Sequence, residues 1–195
     1  DRVLQVLDES IELDKAYRGQ VLEYNQKKKE IYRLQGNKSA YIEQLWKLVL
    51  EQSAGDLDIY KELKAQYSEK EWLIKREELF KKLPANAHID RLYKEEKLYD
   101  RLLAYVLKSS GLYAVQSYEN VLKKEYPKQI LSKYQDEVNK MASCTGNRKH
   151  YADLVALLRR MKQIKGGSEI VETIVEEWKI KYRNRPAMMD ELSKL

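Results

Sequence analysis

The stretch NRKHYADLVALLRRMKQIKGG, residues 147–167, decides the fold class. Its apolar side chains recur every three or four positions, as on one face of an α-helix that turns about 100° per residue. They cover an arc of about 180°, wider than the roughly 100° arc of a helix packed on one side. We therefore predict a helix flanked on two sides. The apolar arc consists of Tyr151, Leu154, Val155, Leu157, Leu158, Met161 and Ile164.

The same helical period extends over almost the whole chain and is interrupted at short breaks. Gly ends helices because it adopts the left-handed conformation, and Pro begins them because its fixed φ suits the first turn. Ser68 and Glu71 have the spacing of a capping box, and Asn147 is a candidate N-cap. The predicted breaks lie at 36–37, 53–55, 83–84, 109–111, 126–127, 145–147, 166–167 and 185–186.

The breaks form a pattern that recurs at 41–83, 99–141 and 151–195. Each copy has a first helix opening on a tyrosine, a glycine turn, a second helix ending in a tyrosine, and a third helix. A helix pair with one apolar stripe cannot bury that stripe alone, so neighbouring copies are expected to stack. The tyrosines that mark the pattern are Tyr41, Tyr99 and Tyr151, and then Tyr67, Tyr126 and Tyr182.

These patterns predict an all-α fold of stacked helical hairpins, a tetratricopeptide-like α-solenoid of about three degenerate repeats. Residues 1–36 are predicted to form one or two lead-in helices, broken near Arg18 and Gly19. Residues 37–195 are predicted to form one continuous helical-repeat domain. Because the chain begins at Asp1, we expect it to be part of a longer protein.

The net charge of +6 is unevenly distributed. Residues 121–195 contain 16 basic and 10 acidic side chains, whereas the rest of the chain is neutral. No apolar run approaches the roughly 20 residues that span a bilayer, so no membrane partner is expected. The single cysteine, Cys144, excludes an internal disulfide and favours a cytoplasmic location. The oligomeric state stays open.

Residues that could carry chemistry are few. Cys144, His150 and His88 are too few for a structural zinc site, and a Cys–His nucleophile would need a third, orienting group. No glycine-rich phosphate-binding motif is present. The sequence therefore predicts neither an enzyme nor a cofactor, and it offers no catalytic or metal-binding residue.

The basic surplus leaves two interpretations open. One is a set of solvated helix faces, with cations that favour helix C-termini. The other is a surface that binds phosphate groups or an acidic partner, although the nearby aromatic residues lie on apolar faces and do not suit base stacking. The candidate basic surface comprises Arg148, Lys149, Arg159, Arg160, Lys179, Lys181, Arg183 and Arg185.

The quoted stretch, followed by EEWKIKYRNRPAMMDEL at 176–192, resembles the C-terminal helical region of bacterial SWIM-type zinc finger proteins. The likeness covers roughly residues 95–195. It implies a helical region that serves a zinc finger thought to contact nucleic acid or protein. The finger's Cys-x-Cys and Cys-x-His ligands are absent, so no ligand position maps onto this chain.

We therefore expect a non-enzymatic helical-repeat scaffold for protein–protein interaction, accessory to a zinc finger elsewhere in the full-length chain. The alternative is a nucleic-acid-binding module that uses the basic surface.

Overall fold

The computed structural model describes residues 2–195, and that part of the chain forms twelve α-helices without a β-strand, which confirms the all-α prediction. α3 runs directly into a π-helical turn, Leu48–Gln52. The helices are α1 Arg2–Leu13, α2 Arg18–Leu34, α3 Lys38–Lys47, α4 Leu57–Lys64, α5 Glu69–Lys82, α6 Ile89–Glu95, α7 Tyr99–Lys108, α8 Tyr113–Leu122, α9 Pro127–Ser143, α10 Arg148–Lys162, α11 Gly167–Lys181 and α12 Pro186–Leu192.

Contacts divide the chain into two compact units, one up to Lys97 and one from Leu98 onward. The first unit contains α1–α6 and the second contains α7–α12. The boundary that the sequence pattern places after Gly36 stays a prediction. The lead-in segment forms two helices, which separate at residues 14–17, just before the expected break.

The capping side chains that the sequence predicts are present. Ser68 and Glu71 form a complete capping box at the start of α5, in which the Glu71 carboxylate accepts the Ser68 N–H at 3.0 Å. The Asn147 side chain accepts the N–H of His150 at 3.0 Å and so begins α10. These bonds satisfy amides that have no partner within a helix, which is why the helices begin there.

The turn between α10 and α11 requires both of its glycines. Gly166 has a φ of 84°, in the left-handed region that other residues adopt only with strain. A Cβ on Gly167 would lie 1.9 Å from the carbonyl oxygen of Met161. The two glycines therefore allow α11 to begin directly against the end of α10.

The core of the first unit contains side chains of α3, the π-helical turn, α4, α5 and α6. α2 packs along α3, and α1 packs along α2. A buried polar pair joins α2 to α3, since Gln44 Nε2 donates to Asn25 Oδ1 at 2.9 Å. Side chains that are fully buried in this core include Leu45, Leu48, Tyr60, Leu63, Leu79 and Leu92.

α9 is central to the second unit and packs against α7, α8, α10 and α11. α10 also contacts α11 and α12, so it is flanked on more than one side, as its wide apolar arc predicts. All seven residues of that arc are buried. Trp178 of α11 is buried as well, and its indole Nε1 donates to Asn139 Oδ1 of α9 at 2.7 Å.

Each predicted copy of the repeat contains its three helices, α3–α5, α7–α9 and α10–α12, and its first two helices pack together. The tyrosine landmarks are offset from the helix ends. Tyr99 opens α7, but Tyr41 and Tyr151 are fourth in their helices because Asn37 and Asn147 cap those helices earlier. In the order of the chain, α6 lies between the first and second copies, and no helix lies at the equivalent place between the second and third copies. The second-helix tyrosines follow the last helical residue, at Tyr67, Tyr126 and Tyr182.

Candidate functional site

The eight cations of the basic surface differ in whether they make hydrogen bonds within the chain. Four of them are engaged in hydrogen bonds within the second unit. The engaged residues are Arg148, Arg159, Arg160 and Arg185.

Arg160 joins α10 to α8. Its Nε donates to Glu119 Oε2 at 2.8 Å, and its Nη2 donates to the carbonyl oxygen of Gln116 at 3.2 Å. Glu119 is buried and also accepts a hydrogen bond from the hydroxyl of Tyr134 on α9. The Glu119 carboxylate raises the pKa of Arg160, while burial and then Glu119 raise the pKa of Tyr134. Arg160 thus neutralises a buried acid.

Arg185 closes the C-terminal end of α9. Its Nη1 donates to the carbonyl oxygens of Ala142 at 2.8 Å and Cys144 at 3.2 Å. The guanidinium carbon lies over the Tyr182 ring, 4.3 Å from its centre, in a cation–π contact. The last carbonyls of a helix have no intrahelical donor and carry the negative end of its dipole, so a guanidinium there is stabilising.

Two further arginines tie α10 to the C-terminal segment. Arg148 Nη2 donates to Asp190 Oδ2 of α12 at 2.7 Å. Arg159 Nη2 donates to the carbonyl oxygen of Lys194 at 2.6 Å. Both arginines are exposed, so these bonds compete with water and contribute less than the Arg160 contact.

Lys149, Lys179, Lys181 and Arg183 make up the other half of the basic surface, and all four are exposed. Lys181 Nζ lies 5.4 Å from the centre of the Tyr182 ring. Lys179, Lys181 and Arg183 cluster in sequence at the end of α11, whereas Lys149 lies in the first turn of α10. Counting Arg148 and Arg159, six of the eight cations are exposed, and the hydrogen bonds described above engage two of those six.

Cys144 and His150 each contact a backbone carbonyl oxygen of α9. His150 Nε2 lies 3.1 Å from the carbonyl oxygen of Met141. The exposed Cys144 Sγ lies 3.8 Å from the carbonyl oxygen of Lys140. Among residues 2–195, no group of three or more His, Cys, Asp and Glu side chains is placed to hold a metal ion.

A groove in the first unit is a second candidate site, and sequence reasoning did not identify it. We call it the first-unit groove; its volume is about 720 Å³. The large apolar side chains that α3 and the π-helical turn contribute to its lining, which we call its floor, are Ile42, Trp46 and Leu50; they follow one another at intervals of four residues and are half-buried. The four-residue spacing is visible in the sequence, but it is the same spacing that a fully buried helix face has.

Three aromatic rings line the first-unit groove. Trp46 Nε1 donates a 2.9 Å hydrogen bond to the hydroxyl of Tyr67. The Tyr67 ring in turn stacks on Trp72, which lies outside the groove lining, with 6.0 Å between the two ring centres. Lys82 Nζ lies 5.8 Å from the centre of the Trp46 ring. Tyr32 lines the groove from α2. The indole is therefore held by a hydrogen bond and a cation while it remains half-exposed.

The first-unit groove has two charged rims. The α3 rim comprises Glu43, Lys47 and Glu51, again four residues apart, with a net charge of −1. The α5 rim comprises Lys75, Glu78 and Lys82, with a net charge of +1.

On the α5 rim, Glu78 serves both lysines. It accepts hydrogen bonds from Lys82 Nζ at 2.7 Å and Lys75 Nζ at 3.0 Å. These two bonds lower the pKa of Glu78. One carboxylate thus serves two ammonium groups, and the α5 rim keeps a positive surplus.

The fold and this site define an all-helical protein with an open groove that has an apolar floor and charged rims. No protein-family model, no curated protein and no solved structure matches the chain. Within residues 2–195, none of the helices combines the length and the apolar character needed to cross a membrane.

Proposed function

We propose that the chain is a non-enzymatic helical scaffold that binds a protein partner in the first-unit groove. The observation that carries this proposal is the half-exposed row of Ile42, Trp46 and Leu50 between two charged rims. An apolar centre with a polar rim is the usual anatomy of a protein interface. Trp is also among the residues that contribute most to binding energy at such sites.

A tetratricopeptide-like stacking of helix pairs belongs to the same proposal. It is supported by α9, the third helix of the second copy, which packs against both α10 and α11 of the third copy. Stacked helical repeats use their grooves to bind extended partners. The three-copy solenoid and the association with a zinc finger stay predictions.

Nucleic-acid binding is the second candidate, because residues 98–195 carry 18 basic and 12 acidic side chains. However, four of the eight cations of the basic surface, Arg148, Arg159, Arg160 and Arg185, already make hydrogen bonds within the second unit, and phosphate contacts would compete with these bonds. We therefore rank the protein scaffold first.

Photo-crosslinking tests the proposal directly. A photoreactive amino acid at Lys47, on the α3 rim, should capture a specific protein in lysate from the source cells. The product should disappear when Trp46→Ala is added, and it should persist with Tyr113→Ala, which removes an exposed ring from the second unit. A product that Trp46→Ala leaves intact would place the partner elsewhere, and the absence of any product would refute the proposal.

A further inference from the structure

Building on the proposed function, we infer that the first-unit groove binds an amphipathic α-helix with one basic and one acidic polar edge. The apolar face of that helix lies on the groove floor. Its basic edge lies along the α3 rim and its acidic edge along the α5 rim.

The length of the floor suits a short helix. Ile42 and Leu50 are eight residues apart, which corresponds to about 12 Å at 1.5 Å per residue. Apolar anchors at positions i, i+4 and i+7 of a ligand helix span about 10.5 Å. A helix of two to three turns therefore places all three anchors along Ile42, Trp46 and Leu50.

The backbone chemistry of the groove disfavours an extended ligand. The groove is lined by α2, α3, the π-helical turn and α5, together with Tyr67, and it offers no strand edge. An extended peptide would therefore find no ladder of backbone partners, whereas a helix satisfies its own N–H and C=O groups.

A proline-rich ligand fits less well for a related reason. Such a ligand has no internal hydrogen bonds, so its carbonyl oxygens need donors from the aromatic groove. The Trp46 indole N–H already donates to the hydroxyl of Tyr67. The groove thus keeps an aromatic surface while its indole donor is occupied within the protein.

The charge of the rims argues for opposite charges on the two edges of the ligand. Lys75 and Lys82 share the single carboxylate of Glu78 on the α5 rim. On the α3 rim, the exposed Glu43 and Glu51 flank Lys47. A ligand with two basic edges would be repelled at the α5 rim, and one with two acidic edges would be repelled at the α3 rim.

The same asymmetry sets the direction of the bound helix. Turning a helix end for end while its apolar face stays down exchanges its left and right edges. A helix with opposite charges on its edges therefore matches both rims in only one of its two directions.

Designed peptides test this inference on the full chain. Three labelled helical peptides share one apolar stripe and differ in their edges: one Lys and one Glu edge, two Lys edges, or two Glu edges. A proline-rich peptide of equal length is the fourth probe. Fluorescence anisotropy at low salt should show the mixed-edge peptide binding about threefold to tenfold tighter than the others, with a difference that shrinks as salt increases.

A charge reversal with a matched control completes the test. Glu43→Lys with Glu51→Lys makes the α3 rim basic, so the preference should move to the peptide with two Glu edges. Glu172→Lys with Glu176→Lys changes the net charge equally on exposed positions of α11 and should leave the order unchanged.

Equal binding of all the helical peptides, or tightest binding of the proline-rich peptide, would overturn the inference. Trp46-dependent self-association of the free chain would overturn it too, because a second copy would then occupy the groove. A partner that crosslinks at Lys47 through a non-helical segment would refute the inference and leave the proposed function intact. If no partner crosslinks at Lys47 although the peptides bind in the expected order, the proposed function fails on its own.

Discussion

The Nε of Arg160 donates a 2.8 Å hydrogen bond to Oε2 of Glu119, a residue 41 positions earlier in the chain. Glu119 also accepts a hydrogen bond from the hydroxyl of Tyr134. A cation that belongs to the predicted basic surface is thus part of the packing between α8, α9 and α10. Its positive charge is therefore used within the second unit, where it stabilises this packing.

Replacing Arg160 by Ala should destabilise the protein. The Glu119 carboxylate would stay buried and lose the cation that pairs with it, at a cost of about 1–2 kcal/mol, reduced because Arg160 is partly exposed. Urea denaturation measures the change. Lys149→Ala is the control and should stay within about 0.5 kcal/mol of wild type. Equal stability of the two variants would show that the Arg160–Glu119 bond contributes nothing.

Arg185 should be required for stability in a way that lysine cannot replace. Arg185→Ala removes the donors to the Ala142 and Cys144 carbonyl oxygens and should cost about 1–2 kcal/mol. Arg185→Lys should recover little, because one ammonium cannot reproduce the planar donor fork that lies over the Tyr182 ring. Thermal unfolding followed by circular dichroism compares these variants with Arg183→Ala, which should match wild type. Full recovery by lysine would rule out this capping role.

Acid should weaken the first unit. Burial alone would raise the pKa of Glu62 and of Glu96, but hydrogen bonds from Lys29 and Lys64 respectively prevail and lower both pKa values below 4.5. A lowered pKa in the folded state means that each carboxylate stabilises the fold above about pH 4.5 and loses this contribution as the pH falls through the folded value.

Urea midpoints measured from pH 7 to pH 3 should therefore fall steeply below about pH 5. Glu96→Gln should lower the midpoint at pH 7 and flatten the acid dependence, since the variant has lost one of the titrating groups. A wild-type acid dependence in this variant would show that Glu96 is not one of the groups responsible.

The structure also limits how strongly nucleic acid can bind. Six cations of the basic surface are exposed, and two of these, Arg148 and Arg159, already make hydrogen bonds, so the log–log salt slope for duplex DNA should lie between about −3.6 and about −5.4. Fluorescence anisotropy with labelled duplexes at several salt concentrations measures it. A slope near −7 would mean that Arg160 and Arg185, which are partly buried and engaged within the second unit, also contact phosphates.

Local features of the fold could be predicted from sequence, and long-range ones could not. The apolar arc of α10 and the caps at Ser68 and Asn147 depend on neighbouring residues alone, and each is present. The break between α6 and α7 is different. Lys97 takes a φ of 55° there, and neither Gly nor Pro marks the position. No local rule predicts such a conformation for lysine.

The candidate sites show the same limit. The positive charge of Arg160 is evident from sequence, but its partner Glu119 becomes a neighbour only when α8 and α10 pack. Ile42, Trp46 and Leu50 have the period of a core helix, and only the positions of α2 and α5 leave them half-exposed. Whether a regular apolar row is buried or open depends on distant elements of the chain, which periodicity does not place.

The affinity of the mixed-edge peptide for the wild-type chain and for Trp46→Ala tests the central claim most directly. Trp46 lies in the middle of the groove floor, so its loss should weaken binding more than about tenfold, as expected for a dominant interface residue. Tyr113→Ala removes a ring that is 85% exposed in the second unit and should leave the affinity unchanged. Circular dichroism confirms that both variants keep their helices. Equal affinity of the wild-type and Trp46→Ala chains would contradict the assignment of the first-unit groove as the binding site.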